Sequence, residues 1–374
     1  MAHIRQLDKD RFQILYDLGP DPVTGKRRQR SKTIRGTIND AEREAEKLER
    51  AASRAVPTAS GHVRVADYVA LFLETLEKRR PPRAPGTIAW YQDKLGYVVE
   101  QMGSRRLKQL TGGMLTVFYS RLLDDGLSPT TAAHTHAALR AALHQAVKWG
   151  YLAENPAMRA DPPGRARPNK QAWTGDQLRA FLAAAADTPW LVAWTLLATT
   201  GMRRSEVAGL RWAAVDLDHG VIHVREALTS TRGRMAFGPP KTASSIRSIA
   251  LDAATIELLA AHRRRQITER IKLEGGYEDH DLVVAWPDGR PVNPDILSRR
   301  FRQLSDRLKL PAITLHDLRH TWATLALEAG VALKVVSQRL GHSSIKVTAD
   351  VYTHVIDSVD RDAAETVARM IRGR

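Results

Sequence analysis

Three short runs near the C-terminal end decide how this chain is read: H-D-L-R-H at residues 316–320, L-G-H at 340–342 and V-Y-T-H at 351–354. On a helix His316 and Arg319 lie three positions apart and share a face, so both can reach one anion. Leu315, Leu318, Trp322 and Leu325 recur at spacings of three to four and form a separate apolar stripe, and Gly330 is a natural stop. Leu333, Val336 and Leu340 predict a second, shorter helix that ends at Gly341, which places His342 at a turn. Ser343 or Ser344 can cap a further helix carrying Val347, Val351 and Val355 inward, with Tyr352 beside them.

Two histidines, an arginine and a tyrosine so grouped suit a phosphate better than a core. A further piece stands upstream, T-G-M-R-R-S-E-V-A-G-L-R-W at residues 200–212. An apolar helix over 190–198 breaks at Gly201, and Glu206 follows Arg203 by three. Glu206 can clamp the guanidinium of Arg203 or Arg204, leaving the remaining N–H donors in fixed geometry for a phosphate.

Taken in order, these motifs resemble the tyrosine recombinase family, the phage integrases and Xer-type resolving enzymes. The pattern is an arginine in a T-G-[LM]-R context, a lysine on a β-hairpin, H-x-x-R, a later G-H, and a tyrosine about ten residues on. The resemblance implies that Arg203 and Arg319 bind the scissile phosphate and that Lys241 in P-P-K-T is the hairpin lysine. It further implies that His316 and His342 contact phosphate oxygens, that Tyr352 is the nucleophile and that Glu206 supports the set. Strand signals in M-A-F-G-P-P-K-T and S-I-R-S-I-A-L around a turn at Ala243 and Ser244 put Lys241 at a hairpin tip.

The chemistry so implied is cleavage and rejoining of DNA through a 3′-phosphotyrosine, integrating or excising a phage or other mobile element, with no cofactor, no ATP and no metal. Four protomers would exchange strands in pairs through a Holliday junction, as a homotetramer on DNA, with a DNA-bending host factor or an excision factor as further partners. A tyrosine-type topoisomerase would share the phosphate site, and a non-catalytic regulator would keep only the charge. The filled catalytic positions and the basic N-terminal unit argue against both.

A chain of 374 residues carrying a net charge of +16 is long enough for two or three domains and suited to a polyanion such as double-stranded DNA. It has no cysteine, which excludes disulfides and thiolate metal sites. The first residues lack the apolar core of a signal peptide, and the longest apolar stretch is short of a membrane span, so a cytoplasmic protein, nucleoid-associated when bound to DNA, is expected.

The expected fold is multidomain α+β, mainly helical with small β-sheets. Residues 1–56 read as a three-stranded sheet plus helix that binds arm-type DNA sites, from the alternation of R-F-Q-I-L-Y at 11–16, the turn D-P-V-T-G at 21–25 and the returning strand at 27–34. Six basic residues and no acid lie between Lys26 and Arg35, and Lys26, Arg27, Arg28, Arg30 and Lys32 are the DNA-binding candidates there. After a linker over 56–62, residues 63–160 read as a helical, SAM-like core-binding domain with helices over 65–78, 87–102, 114–125 and 130–150, for DNA core sites. His134, His136 and His144 within it have no carboxylate cluster to make a metal site and suit a helix surface or a DNA backbone. The second linker, 159–172, is rich in proline and basic residues, with Arg165, Arg167 and Lys170 as further DNA contacts. A mixed α/β catalytic domain then spans 173–374. Its last helix, over 357–372, carries Val359, Ala363, Val367 and Met370 or Ile371 at helical spacing, to pack in cis or on a neighbouring protomer.

Overall fold

The computed structural model describes residues 3–20, 27–54, 62–81, 83–164, 171–240, 243–342, 344–345, 349 and 368–372. The chain divides into two compact units, residues 1–167 and 168–374. The division falls inside the proline-rich basic segment.

In the first unit, strands β1 (His3–Asp8), β2 (Arg11–Pro20) and β3 (Arg27–Arg35) form an antiparallel sheet in the order β1-β2-β3. Helix α1 (Ile38–Arg54) packs on it. Its start is fixed by a reciprocal cap: the Asp40 carboxylate accepts from Thr37 N at 2.9 Å, and Asp40 N donates to Thr37 Oγ1. Phe12 and Ile14 of β2 are buried, as are Ala41 and Ala45 one turn apart on α1.

The helical part holds α2 (Val65–Lys78), α3 (Pro85–Met102), α4 (Gly112–Asp124) and α5 (Pro129–Lys148). The start of α5 follows its sequence: Ser128 Oγ accepts from Thr131 N at 3.2 Å, and Pro129 occupies the first turn, where no N–H is needed. Val65, Val69, Phe72, Leu95, Leu115, Leu122, Leu139 and Leu143 fill one apolar core, and the Tyr68 hydroxyl entering it donates to Ala142 O at 2.6 Å. His136 departs from the sequence expectation. It is buried rather than on the helix surface, with Nδ1 3.1 Å from the Tyr119 hydroxyl, because alanine-rich α5 contacts its neighbours on more than one side.

The second unit opens with α6 (Gly175–Ala184), capped by Thr174 and Gln177. There follow α7 (Leu191–Thr200), α8 (Arg204–Ala208), β4 (Val215–Asp216), β5 (Val221–Val224), β6 (Ala227–Thr231), β7 (Arg234–Gly238) and β8 (Arg247–Ala250). Then come α9 (Ala253–Leu273), α10 (Pro294–Arg307), α11 (Asp317–Glu328) and α12 (Leu333–Leu340). α7 is apolar on nearly every side and is buried, packing with α6, α8, α9 and α11. Trp173, Phe181, Trp194 and Phe301 meet ring to ring at its side, with Trp173 Nε1 donating to Pro311 O at 2.9 Å.

Strand pairing corrects one expectation. β8 pairs with β5 in the sheet β4-β5-β8, whereas β7 pairs with β6. The tight turn is at Arg232 and Gly233, both at positive φ as a two-residue hairpin of this twist requires. β7 and β8 are therefore not the two arms of one hairpin around Ala243 and Ser244, because β8 finds its ladder partner in β5; Lys241 lies outside the described residues.

No helix among the described residues is long and apolar enough to cross a membrane.

Candidate active site

α7 ends where the sequence supplies a residue for it: Gly201 adopts φ +67°, a left-handed conformation that only glycine takes without strain. The space is also closed, since a Cβ there would meet Leu340 Cδ2 at 2.7 Å and Trp322 Cε3 at 3.1 Å. Two residues on, Arg203 is extended and stands at the start of α8, with Glu206 in the first turn.

Glu206 is 1% exposed. Its carboxylate accepts from Arg203 N at 2.9 Å and from Arg203 Nη1 at 2.7 Å, as the three-residue spacing suggested. It also receives Arg247 from β8, through Nη2 at 2.9 Å and Nη1 at 3.2 Å. Burial works against ionisation of this carboxyl, but the hydrogen bonds and charge of Arg247, then those of Arg203, hold it below the usual carboxylate range. Arg203 is tied further by Nη1 to Ser245 Oγ at 2.8 Å and by Nη2 to Gly341 O at 3.3 Å.

Arg319 enters from α11. Thr314 and Asp317 fix the start of that helix, the Asp317 carboxylate accepting from Thr314 N and Oγ1 at 2.7 Å each. The sequence suggests that Arg319 lies on a polar face, but it is 2% exposed, lining up with Leu318, Thr321, Ala323 and Leu327 on the buried side. A buried guanidinium needs acceptors, and backbone carbonyls supply them: Nη1 donates to Gly201 O at 2.7 Å and Nη2 to Leu340 O. The ends of α7 and α12 thus meet at one arginine. Arg339 repeats the device, donating from Nη2 to Ala250 O at 2.9 Å and Thr199 O at 3.2 Å.

α12 closes at Gly341, φ +66°, and His342 follows at the turn the sequence predicts. Burial, then the charges of Arg319, Arg203, His320 and Arg247, lower the His342 imidazole to about 4. It is neutral at pH 7 inside a positive field. His316, at the start of α11, is exposed, and its ring stands edge to face with His320 at 5.4 Å.

Arg203, Glu206, Arg319 and His342 are thus gathered in one place, while Lys241 and Tyr352 lie outside the described residues. Arg247, Ser245 and His320 belong to the same cluster and escaped the sequence reading. The available signal was register: Arg247 and Ile249 alternate with Ser248 and Ala250 on β8, so the arginine takes an inward position beside a buried isoleucine. Among the described residues no group of histidines and carboxylates is arranged to hold a metal ion.

The N-terminal candidates fall differently. Lys32 pairs in register with buried Ile14 and so lies on the face under α1, where its ammonium meets Glu44 at 2.7 Å. Arg30 is exposed and two residues along the same strand; Lys26, Arg165, Arg167 and Lys170, and the side chains of Arg27 and Arg28, lie outside the described residues. The opposite face carries Arg5, Gln13 and Thr33 in one cross-strand row and Arg11 and Arg35 in another.

The phage integrase family profile matches residues 171–358, the stretch that carries every candidate catalytic position named above. The chain belongs to the phage integrase family. As the motifs indicated, it is a tyrosine recombinase, a site-specific DNA recombinase acting in integration or excision. It is 26% identical over 308 residues to a XerC-like tyrosine recombinase of Caldanaerobacter subterraneus, covering 77% of this chain and 79% of the relative. It is 25% identical to the ICEBs1 integrase of Bacillus subtilis over 369 residues, 97% of this chain and 98% of the relative. The fold is similar to that of the Tn1549 transposon integrase solved with transposon right-end DNA, with a TM-score of 0.66 at 22% identity, over 80% of this chain and 99% of that one.

Proposed function

We propose that this recombinase cuts one DNA strand by attack of the Tyr352 phenol on a phosphodiester held by Arg203, Arg319 and His342. The phenol, whose ordinary pKa is near 10, gives up its proton as the Oη–P bond forms and the P–O5′ bond breaks. Lys241 protonates the departing 5′ oxygen, and His316 assists at the tyrosine or holds a phosphate oxygen. The product is a 3′-phosphotyrosine, which keeps the energy of the phosphodiester. The 5′ hydroxyl of a second duplex then attacks it and releases Tyr352, so no ATP and no metal enter the balance.

The observation that carries this reading is the anchoring of two arginines from distant elements around His342. Arg203 is fixed by Glu206, Ser245 and Gly341, and Arg319 by Gly201 and Leu340. Donors fixed in advance are what a phosphorane with extra equatorial charge requires, and arginine clamps in phosphoryl transfer contribute roughly 10³ to 10⁵ in rate.

In this reading residues 1–56 bind arm sites, 63–160 grip the core site and 173–374 perform the chemistry. The enzyme works as a tetramer on DNA in the cytoplasm, with a bending host factor or an excision factor setting direction. A plasmid carrying two attachment sites tests it. Recombinants are expected in EDTA and without nucleotide; a requirement for either metal or ATP contradicts the mechanism.

A further inference from the structure

Three features of Arg247 stand out against its position on a short strand. Its side chain is 7% exposed. It reaches acceptors on three elements: both oxygens of Glu206 on α8, Ser245 O ahead of β8 at 2.8 Å, and Arg339 O in α12 at 2.6 Å. And the Glu206 carboxylate that it grips is the one that holds Arg203. A carboxylate buried this deeply needs more than the one part-exposed arginine at its side to stay ionised, and with too little cationic charge around it takes a proton. Protonated, Glu206 would keep at most one acceptor-grade oxygen and lose its charge attraction for Arg203, whose phosphate-facing geometry depends on both.

We infer that Arg247 is a positioning residue for the cleavage step, which keeps Glu206 ionised and oriented so that Glu206 fixes Arg203. This rests on the reading of Arg203 as a phosphate ligand. Arg247 touches no substrate in this scheme; it acts through Glu206, and its contacts with Ser245 O and Arg339 O hold its guanidinium against that carboxylate. A Cβ on Gly341 would stand 3.2 Å from Arg247 Cδ, so the arginine stem also lies directly beneath the turn that presents His342. Lysine cannot reproduce this. An ammonium supplies the charge but not a planar fork that spans both oxygens of a carboxylate and two carbonyls.

The test is single-turnover cleavage of a nicked suicide substrate by the full-length chain, read beside DNA affinity, for R247M, R247K, E206Q, the double variant R247M/E206Q, and R203A. R247M is expected to cleave about 10²-fold more slowly at unchanged DNA affinity, the cost of a small misplacement of a catalytic group. R247K should recover part of the loss. The double variant removes both buried charges, folds even where R247M does not, and is expected to cleave no more slowly than E206Q alone, since Arg247 acts only through that carboxylate. Cleavage by R247M at the wild-type rate, or a double variant as slow as the product of the two single losses, overturns the inference. Should R203A itself cleave at the wild-type rate, the phosphate-ligand reading fails first and this inference with it; an inactive R203A beside a fully active R247M overturns this inference alone.

Discussion

Arg319 Nη1 donates to Gly201 O at 2.7 Å, joining residues 118 positions apart in sequence. The acceptor is the last residue before the chain turns into Met202 and Arg203, so each of the two arginines depends on the same left-handed glycine. Gly201→Ala would force a Cβ to 2.7 Å from Leu340 Cδ2 on a backbone at φ +67°. We expect a stability loss of about 1–3 kcal/mol in urea unfolding, and cleavage reduced further than DNA binding.

Arg319→Lys keeps a charge but cannot reach Gly201 O and Leu340 O together. If Arg319 holds the scissile phosphate as in the proposed mechanism, single-turnover cleavage should fall by about 10³-fold, the range for losing a preorganised donor. DNA affinity should change little, because one buried group adds little beside the phosphate neutralisation available to a chain of net charge +16.

Glu206→Ala leaves Arg247, 7% exposed, without its carboxylate. Removing one partner of such a buried pair costs about 3–5 kcal/mol, so the variant should unfold at markedly lower denaturant concentration. Glu206→Gln, which keeps an acceptor oxygen, should be less affected.

His342 titrates near 4 in the fold, below the ordinary histidine value. Between about pH 4 and 6.5 the unfolded chain binds a proton there that the folded chain does not, so stability rises with pH across that window and is lost as pH falls from 6.5 towards 4. His342→Gln should flatten that slope in thermal unfolding followed from pH 4.5 to 7. A bound phosphate opposes the arginine field, so the same window should shrink when DNA is present.

On the N-terminal sheet, Arg5, Arg11 and Arg35 lie on the face away from α1, whereas Lys32 is held by Glu44. If this unit binds arm sites as proposed, replacing Arg5 or Arg35 by Ala should weaken that binding and make the salt dependence shallower by about 0.9 for each phosphate no longer neutralised. Lys32→Ala should leave that slope unchanged.

The helices of residues 62–164 were legible because their apolar residues repeat at helical spacing and their caps, Ser128 with Pro129 among them, are local signals. The same holds for Gly201 and Gly341, whose sequence positions mark the ends of α7 and α12. Arg203 with Glu206 was legible because three residues separate them on one turn. Arg247 was not, since its partners are 41 and 92 residues away and only the strand pairing of β8 with β5 brings it to them. The pairing of β7 with β6 and of β8 with β5 was not legible either: alternation identifies strands but does not say which strands are neighbours. Nor is the burial of Arg319 legible: a charge on a helix reads as solvent-facing, and only the fold brings the backbone carbonyls of two helix ends to receive it.

In the proposed mechanism Tyr352 is the nucleophile served by the Arg203–Arg319–His342 cluster. The most direct measurement incubates wild type and Tyr352→Phe with a suicide DNA substrate, separates the products on a denaturing protein gel and maps the modified peptide. A covalent band in the wild type alone, with the nucleotide on the peptide containing Tyr352, is the expected result. The same adduct in both proteins, or a nucleotide on any other residue, would contradict the mechanism.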